Sequence, residues 1–439
     1  MEPIPRHLWS TANIARWLPL RAEVTVRQVR AALDALAERH ASLRTLYRLP
    51  ADGTPTQRIA ARATGVVSQK ETEDTPEARR QLVADAQDRP FTLEDDFGWH
   101  ATIAVASGRP RGIALTVQHI VADGWAQDLL DRDLAPLLAV QCGGPPATAY
   151  DTVSSPAALA VEQRSNEWAD WRREAERFHM SVLRSGLLAA APAAPPLSRL
   201  PLRHDGELRL DHLAPALRRR SARLRVFPQG LLLAAAALAV AVERGESSQA
   251  WWLMTSNRFN PRWSGLVTSM NQIVPMSADL DGPDTLSQLV QRVQADSAAA
   301  LRYGCYDVDR FAELCRDVMG GPPTRRYMFN YAVGGPVGVG DHAPQQLESI
   351  PPDRPATRTV RDSAPADCYF VVSDEPRLTL RCHSTLPDDD EERMASLLTV
   401  YENVLREILA RPDREVARLL DGFRTGRAGG RDARAGDGR

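Results

Sequence analysis

Lysine is nearly absent: Lys70 is the single one among 54 basic side chains, so almost every cation is arginine. Alanine is abundant alongside it, and the pairing reads as a GC-rich coding bias rather than a phosphate-binding device. Net charge is lacking too, since 54 basic against 56 acidic side chains leave −2 and an isoelectric point near 6.5. A nucleic-acid binder normally carries a basic domain or stripe, so that class is excluded. Cysteine is sparse, with Cys142, Cys305, Cys315, Cys368 and Cys382 the only five. An odd count without CxxC spacing, in a chain of this size, excludes a disulfide framework and a zinc site and fits a reducing cytoplasm. Long hydrophobic runs are missing as well. The longest, near 230–242, is too short to span a bilayer and reads as a buried helix. The first residues, Met-Glu-Pro-Ile-Pro-Arg-His, lack the basic and apolar regions of a signal peptide, which predicts a cytoplasmic protein without membrane contact.

What is present is an ordinary globular composition. The chain has 439 residues, 43% of them apolar and 25% charged, enough for a substantial core. From that length neither a small binding module nor a multi-enzyme assembly-line subunit is expected.

Helical periodicity begins at Thr25, with Gln28 as its capping-box partner, and continues through Val26, Val29, Leu33, Leu36, Ala37, His40 and Leu43. Thr285 and Gln288 open a second such helix, with Leu286, Leu289, Val290, Val293 and Leu301 on one face. A last helix is predicted from about Asp389, with Met394, Leu397, Leu398, Tyr401, Leu405 and Ile408 as its stripe and Pro412 near its end. Strands are predicted at 102–106 and 113–118, flanking a hairpin turn at 108–112, and at 251–255, 328–333, 369–373 and 377–383. Trp251 and Trp252 read as strand core, His40 as packed on its helix face, and His179, His204 and His212 as surface positions. An Ala- and Pro-rich linker at 186–202 divides the chain. The expected organisation is an α/β (α+β) protein with an N-terminal half at 1–185, a C-terminal half at 203–420 and a disordered tail at 421–439.

The chemically informative stretch runs Thr116-Val117-Gln118-His119-Ile120-Val121-Ala122-Asp123-Gly124-Trp125. A strand delivers Gln118 and His119 to its end, a short loop follows, and a helix begins near Gly124 or Trp125. Trp125, Leu129, Leu134, Leu137 and Leu138 suggest a packed face. A strand-end histidine held by one ring nitrogen can accept a proton at the other. The helix start adds free backbone N–H groups and a positive dipole end, suited to an oxyanion. Taken alone, His119 reads equally as a satisfied histidine at a strand end, and Asp123 as the N-cap of the helix. No third ligand is spaced to complete a metal site with them, and Ser256 lacks a GxSxG elbow.

This segment resembles the HHxxxDG signature of nonribosomal-peptide condensation domains and of the wider chloramphenicol-acetyltransferase-like superfamily. His119 falls on the second, catalytic histidine, Asp123-Gly124 on the DG, and Gln118 replaces the first histidine, which mainly supports the loop. The flanking context strengthens the likeness. Arg39-His40-Ala41-Ser42-Leu43-Arg44-Thr45-Leu46-Tyr47 resembles RHExLRTxF, and Arg89-Pro90-Phe91-Thr92-Leu93-Glu94 resembles the PFDL element. Ser256-Asn257-Arg258, Gly265 and Met270-Asn271-Gln272-Ile273-Val274-Pro275 resemble the ANR…G…N-x-LP bridge, and Met328-Phe329-Asn330-Tyr331 a later strand. These matches occur in family order over roughly residues 5 to 410.

The resemblance implies two acetyltransferase-like halves forming a V-shaped pseudo-dimer with a central tunnel. It makes His119 the catalytic residue, Gly124 N–H the oxyanion contact, and Asp123 and Arg258 a structural ion pair. Trp125, Asn271 and Asn330 would line the tunnel, although both asparagines also read as turn or strand-end polar groups. The implied activity is that of a freestanding condensation-type acyltransferase, acting as a monomer without a resident cofactor or metal. It would join an acyl or aminoacyl thioester to an amine or hydroxyl, with the phosphopantetheine arm brought by an acyl or peptidyl carrier protein. Other readings within the fold are a coenzyme A-dependent acyltransferase or an epimerase. From another class comes a non-catalytic recruitment domain that binds carrier proteins or tailoring enzymes, which Gln118 keeps in view.

Overall fold

The computed structural model describes residues 13–20, 23–48, 55–145, 155–191, 201–282, 284–332, 354–362, 364–374 and 377–423. The chain divides into two units, each mixing helices with a sheet. The first takes the described residues up to Ala169 together with the later segment Ser256–Asn271, and the second takes the remainder.

In the first unit, β1 (Asn13–Pro19) and α1 (Val26–Arg39) lead to β2 (Thr45–Arg48), β3 (Thr56–Ile59) and β4 (Val67–Glu71). Then come α2 (Pro76–Gln87), β5 (Trp99–Ala106), β6 (Arg109–Gln118), α3 (Gly124–Gln141) and α4 (Pro156–Arg164). Its main sheet has the order β1-β6-β5-β4, antiparallel except between β4 and β5. The Thr25/Gln28 capping box is formed, and Val29, Ala32, Leu33, Leu36 and Ala37 bury one face of α1 against the sheet. The helix stops at Arg39, short of the predicted periodicity, because His40 turns extended and a 3₁₀ turn, Ala41–Arg44, follows. His40 is buried, with Nε2 3.0 Å from Asp133 Oδ2. The β5–β6 turn also differs from the prediction. Ser107 (φ 52) and Gly108 (φ 72) make it, and Arg109 already pairs with Ala106. Two consecutive positive φ angles suit the twist of a tight hairpin, and a register shift at Ala104/Val105 lets Pro110 sit inside the strand.

The second unit begins with α5 (Ala169–Leu183), β7 (Leu202–Arg209), α6 (Ala214–Leu224), α7 (Pro228–Arg244), β8 (Ser248–Thr255), β9 (Gln272–Asp279), α8 (Leu286–Arg302) and α9 (Val308–Met319). It continues with β10 (Tyr327–Ala332), β11 (Ala356–Arg361), β12 (Cys368–Ser373), β13 (Thr379–Ser384) and α10 (Glu391–Ala410). The sheet order is β11-β7-β13-β12-β10-β8-β9, with β10 parallel to both neighbours. Trp251 and Trp252 are strand core, and the apolar run at 230–242 lies wholly buried within α7. Among the described residues no single helix is long and apolar enough to cross a membrane. Asp390 rather than Asp389 caps the last helix, and Thr285/Gln288 forms the second capping box.

The division falls at residue 169, before the predicted linker, because α5 packs with the second unit. Phe178 stacks on Tyr303, and His179 meets the edges of Tyr306 and Phe311. His179 is therefore buried, not superficial, and burial lowers it from 6.5 to about 4. Within the predicted linker, Ala190 bridges to Pro323; residues 192–200 lie outside the described residues, as does the predicted tail beyond 423.

His204 is also buried, with Nδ1 3.0 Å from Thr359 Oγ1. Beside it, Arg358, Asp205, His383 and Tyr369 are direct cross-strand neighbours across β11, β7, β13 and β12. Asp205 accepts from Arg203 at 2.7 and 3.2 Å and from Arg358 at 3.1 Å, and it lies 2.7 Å from His383 Nδ1. Burial pushes this carboxyl up, but its hydrogen bonds and charge pairing with His383 and Arg203 hold it well below the usual range. A depressed carboxylate stabilises the fold above its unfolded value, near 3.8, and that contribution fades as pH falls toward the folded value. The expected result is a urea midpoint that drops between about pH 5 and 2 in the wild type. In Asp205→Asn this acid-side slope should be shallower, and the midpoint at pH 7 lower.

Candidate active site

β6 ends at Gln118 and α3 starts at Gly124, so the four residues between His119 and Gly124 form one short loop. Four anchors hold it. Gln118 Oε1 accepts the Ile120 N–H at 2.6 Å, and Val121 N–H donates to Gln118 O at 2.9 Å. Ser42 Oγ donates to Val121 O at 2.6 Å, and Tyr47 Oη to Ile120 O at 3.4 Å. Burial pushes the Tyr47 phenol up to about 12, so it remains a donor at neutral pH. Gln118 thus performs a loop-closing task that needs only a side-chain acceptor.

Gly98 lies beneath the loop, and its carbonyl accepts from Gln118 N–H at 2.7 Å. A Cβ there would come 2.7 Å from Val121 Cγ2 and 3.0 Å from Leu93 Cδ2. Val121 is buried and β-branched, with little freedom to yield. Gly98→Ala is expected to lower stability by about 1–3 kcal/mol, as overpacking typically does. A denaturant melt checks this, and an unchanged midpoint would mean the loop is softer than this packing implies.

Asp123 caps α3 and joins the loop to the segment Ser256–Asn271. Its Oδ1 accepts from Ala126 N–H at 2.9 Å and from Arg258 Nη2 at 3.0 Å. Its Oδ2 accepts the backbone N–H groups of Met270 at 2.8 Å and Asn271 at 3.1 Å. The cap and the ion pair are two uses of one carboxylate. Arg258 further donates to the carbonyls of Trp263, Leu266 and Thr268 at 3.2, 2.7 and 2.9 Å. Both side chains are 2% exposed, which makes this a buried, multiply bonded pair. Burial pulls the Arg258 guanidinium below its ordinary 12.5, against the attraction of Asp123.

Asn257, at φ 53, turns the chain into this segment, and its Nδ2 donates to Met270 O at 2.8 Å. Trp263 stacks on Trp168 with ring centroids 5.1 Å apart, while Val267 enters the core of the first unit.

His119 is half-buried, and its Nδ1 lies 3.3 Å from Ser269 Oγ. Ser269 Oγ in turn donates to Asn271 Oδ1 at 3.1 Å. Among the described residues no other hydrogen-bond partner meets the imidazole, so Nε2 is unengaged. Gly124 N–H, at the first position of α3, has no partner there either. Trp125 is 45% exposed, and its Nε1 donates to Ser264 O at 2.9 Å. The first unit therefore brings together Gln118, His119, Asp123, Gly124, Trp125, Arg258 and Asn271. Asn330 belongs to the second unit, where it is buried in β10 and donates to Tyr369 Oη at 3.1 Å. Sequence reasoning missed Ser42 and Ser269, whose types carry no signal apart from the backbone and ring atoms they reach.

The family model of the Condensation domain matches residues 9–420, and the chain belongs to that family. Among curated proteins it is similar to phosphinothricin tripeptide synthetase PhsC of Streptomyces viridochromogenes, at 25% identity over 381 residues, 82% of this chain and 34% of that protein. It is also similar to the nonribosomal peptide synthetase kk1B of Curvularia clavata, at 23% identity over 438 residues, 94% of this chain and 3% of that protein. The chain thus spans about a third of the first relative's length and a small fraction of the second's. Among solved structures, the one describing condensation domain-mediated chain release from the enacyloxin polyketide synthase superimposes with a TM-score of 0.73 at 16% identity, covering 93% of this chain and 80% of that one. SgcC5 from Streptomyces globisporus gives 0.69 at 19% identity, covering 92% and 94%. The X-domain from teicoplanin biosynthesis gives 0.66 at 18% identity, covering 94% and 95%. The shared fold is that of condensation domains, whose general chemistry is acyl transfer.

Proposed function

We propose that this condensation domain transfers an acyl or aminoacyl group from a carrier-protein phosphopantetheine thioester to an amine or hydroxyl acceptor. In the proposed step the acceptor nitrogen or oxygen attacks the thioester carbonyl as His119 Nε2 takes its proton or orients its lone pair. The carbonyl oxygen gains charge opposite Gly124 N–H. The C–S bond then breaks, and the departing sulfur leaves as the protonated thiol. No resident metal or nucleotide enters this scheme, because the thioester already carries the activation.

The observation that carries the reading is the half-buried His119, engaged at Nδ1 and open at Nε2, beside an unpartnered helix-start N–H. Gln118 favours no loss of function, since its Oε1 closes the loop at 2.6 Å. The test incubates the protein with loaded carrier proteins and a panel of acceptors, and follows acyl loss by intact mass. Acyl loss with wild type, absent with His119→Ala, supports the proposal. Equal turnover by the two proteins would sink it. So would carrier binding by both with turnover by neither, which would identify a recruitment domain.

A further inference from the structure

We infer that Asn271 and Ser269 form a neutral relay that fixes the tautomer of His119 and so presents Nε2 as the proton acceptor. This rests on the reading of His119 given above and adds the positioning residues behind it.

Hydrogen-bond direction carries the argument. Asn271 Oδ1 can only accept, and Ser269 Oγ lies 3.1 Å from it. A serine hydroxyl has one hydrogen, and here that hydrogen is committed to Asn271. Toward His119, 3.3 Å away, Ser269 Oγ is left with lone pairs alone. The imidazole must therefore donate, placing its proton on Nδ1 and its lone pair on Nε2. A second ring nitrogen commonly sets the tautomer of a functional histidine in this way, usually through a carboxylate or backbone carbonyl.

The carboxylate nearest in sequence is Asp123, and it is not available for the task. Its two oxygens already take four donors: Ala126 N–H, Arg258 Nη2, Met270 N–H and Asn271 N–H. Yet the same contacts place the relay. By gripping the backbone N–H of Met270 and Asn271, Asp123 fixes the stretch on which Ser269 and Asn271 sit. The relay carries no net charge. It sets which nitrogen holds the proton without adding an anion that would favour imidazolium.

The relay can be read without turnover. The protein labelled with ¹⁵N at its nine histidines reports each ring's tautomer through its ring-nitrogen shifts, with His119 assigned by its loss in His119→Gln. The expected wild-type signature above neutral pH is Nδ1–H. Ser269→Ala should move it toward Nε2–H, and Ser269→Thr, which keeps the hydroxyl, should restore it. Asn271→Ala provides a second route, because the freed hydroxyl can then donate to Nδ1.

In the transfer assay, Ser269→Ala is expected to lower kcat roughly tenfold, the worth of one hydrogen bond, with the donor KM unchanged and threonine recovering most of the loss. The inference is overturned if His119 keeps Nδ1–H in both Ser269→Ala and Asn271→Ala, or if the tautomer moves while kcat does not. Full activity of His119→Ala would instead defeat the functional reading, and the ring-nitrogen shifts would still report on the relay.

Discussion

Asp123→Ala is expected to lower stability by about 3–5 kcal/mol, the usual cost of stranding one member of a buried ion pair. The loss has three sources. Arg258 keeps a buried charge with only neutral acceptors, three carbonyls and the Met270 sulfur, α3 loses its N-cap, and the Met270 and Asn271 N–H groups lose their acceptor. Asn is no rescue, because its amide would turn an NH₂ toward one of these donor pairs. The measurement is a urea melt, paired with limited proteolysis to locate the loosened segment, for which 256–271 is expected. Arg258→Ala should behave similarly, and the double variant should lose less than the sum, since each single change strands the other partner. A soluble Asp123→Ala protein that melts like wild type but does not turn over would assign Asp123 to chemistry instead.

His119→Ala carries the largest expected effect on rate. Removing a positioned general base typically costs 10²–10⁴-fold, and kcat/KM for acyl transfer is expected to fall by roughly that amount. Stability should move little, because His119 is half-buried and holds a single hydrogen bond to Ser269. The two variants thus separate the loop's roles: one loses rate with its melt intact, the other loses its melt. A steady-state assay beside a melt on the same samples decides between them. Comparable destabilisation by both would mean that His119 is a packing residue.

How much of this was legible in the sequence depended on the range of the interaction. The capping boxes at Thr25 and Thr285 are local patterns, and both are formed. The apolar run at 230–242 needed only its own composition. His119, Asp123 and Gly124 were visible because their spacing resembles a family motif, and Arg258 because a second such motif accompanied them. What escaped notice was set by distant partners. His179 reads as a surface residue until Tyr306 and Phe311 close over it. Ser269 is one serine among many until its hydroxyl is found between His119 and Asn271. The short strands β2, β3 and β4 lie half in solvent and give little alternation to detect. The β5–β6 turn was displaced because Pro110 and Gly112 look like loop residues, whereas a register shift accommodates the proline within the strand.

That Ser256–Asn271 belongs to the first unit although the second unit's whole α5–β8 region precedes it has a consequence for the order of synthesis. A ribosome making about 5–20 residues per second delivers Asp123 on the order of ten seconds before Arg258. During that interval the loop between β6 and α3 has its strand and its helix, but its carboxylate has no cation and its histidine no serine. The first unit therefore cannot reach its final state as it emerges, and the nascent chain must hold an unfinished site open until residue 271 is out. A fragment ending at residue 169 should stay in that waiting condition, and supplying 256–271 as a separate peptide should be what releases it.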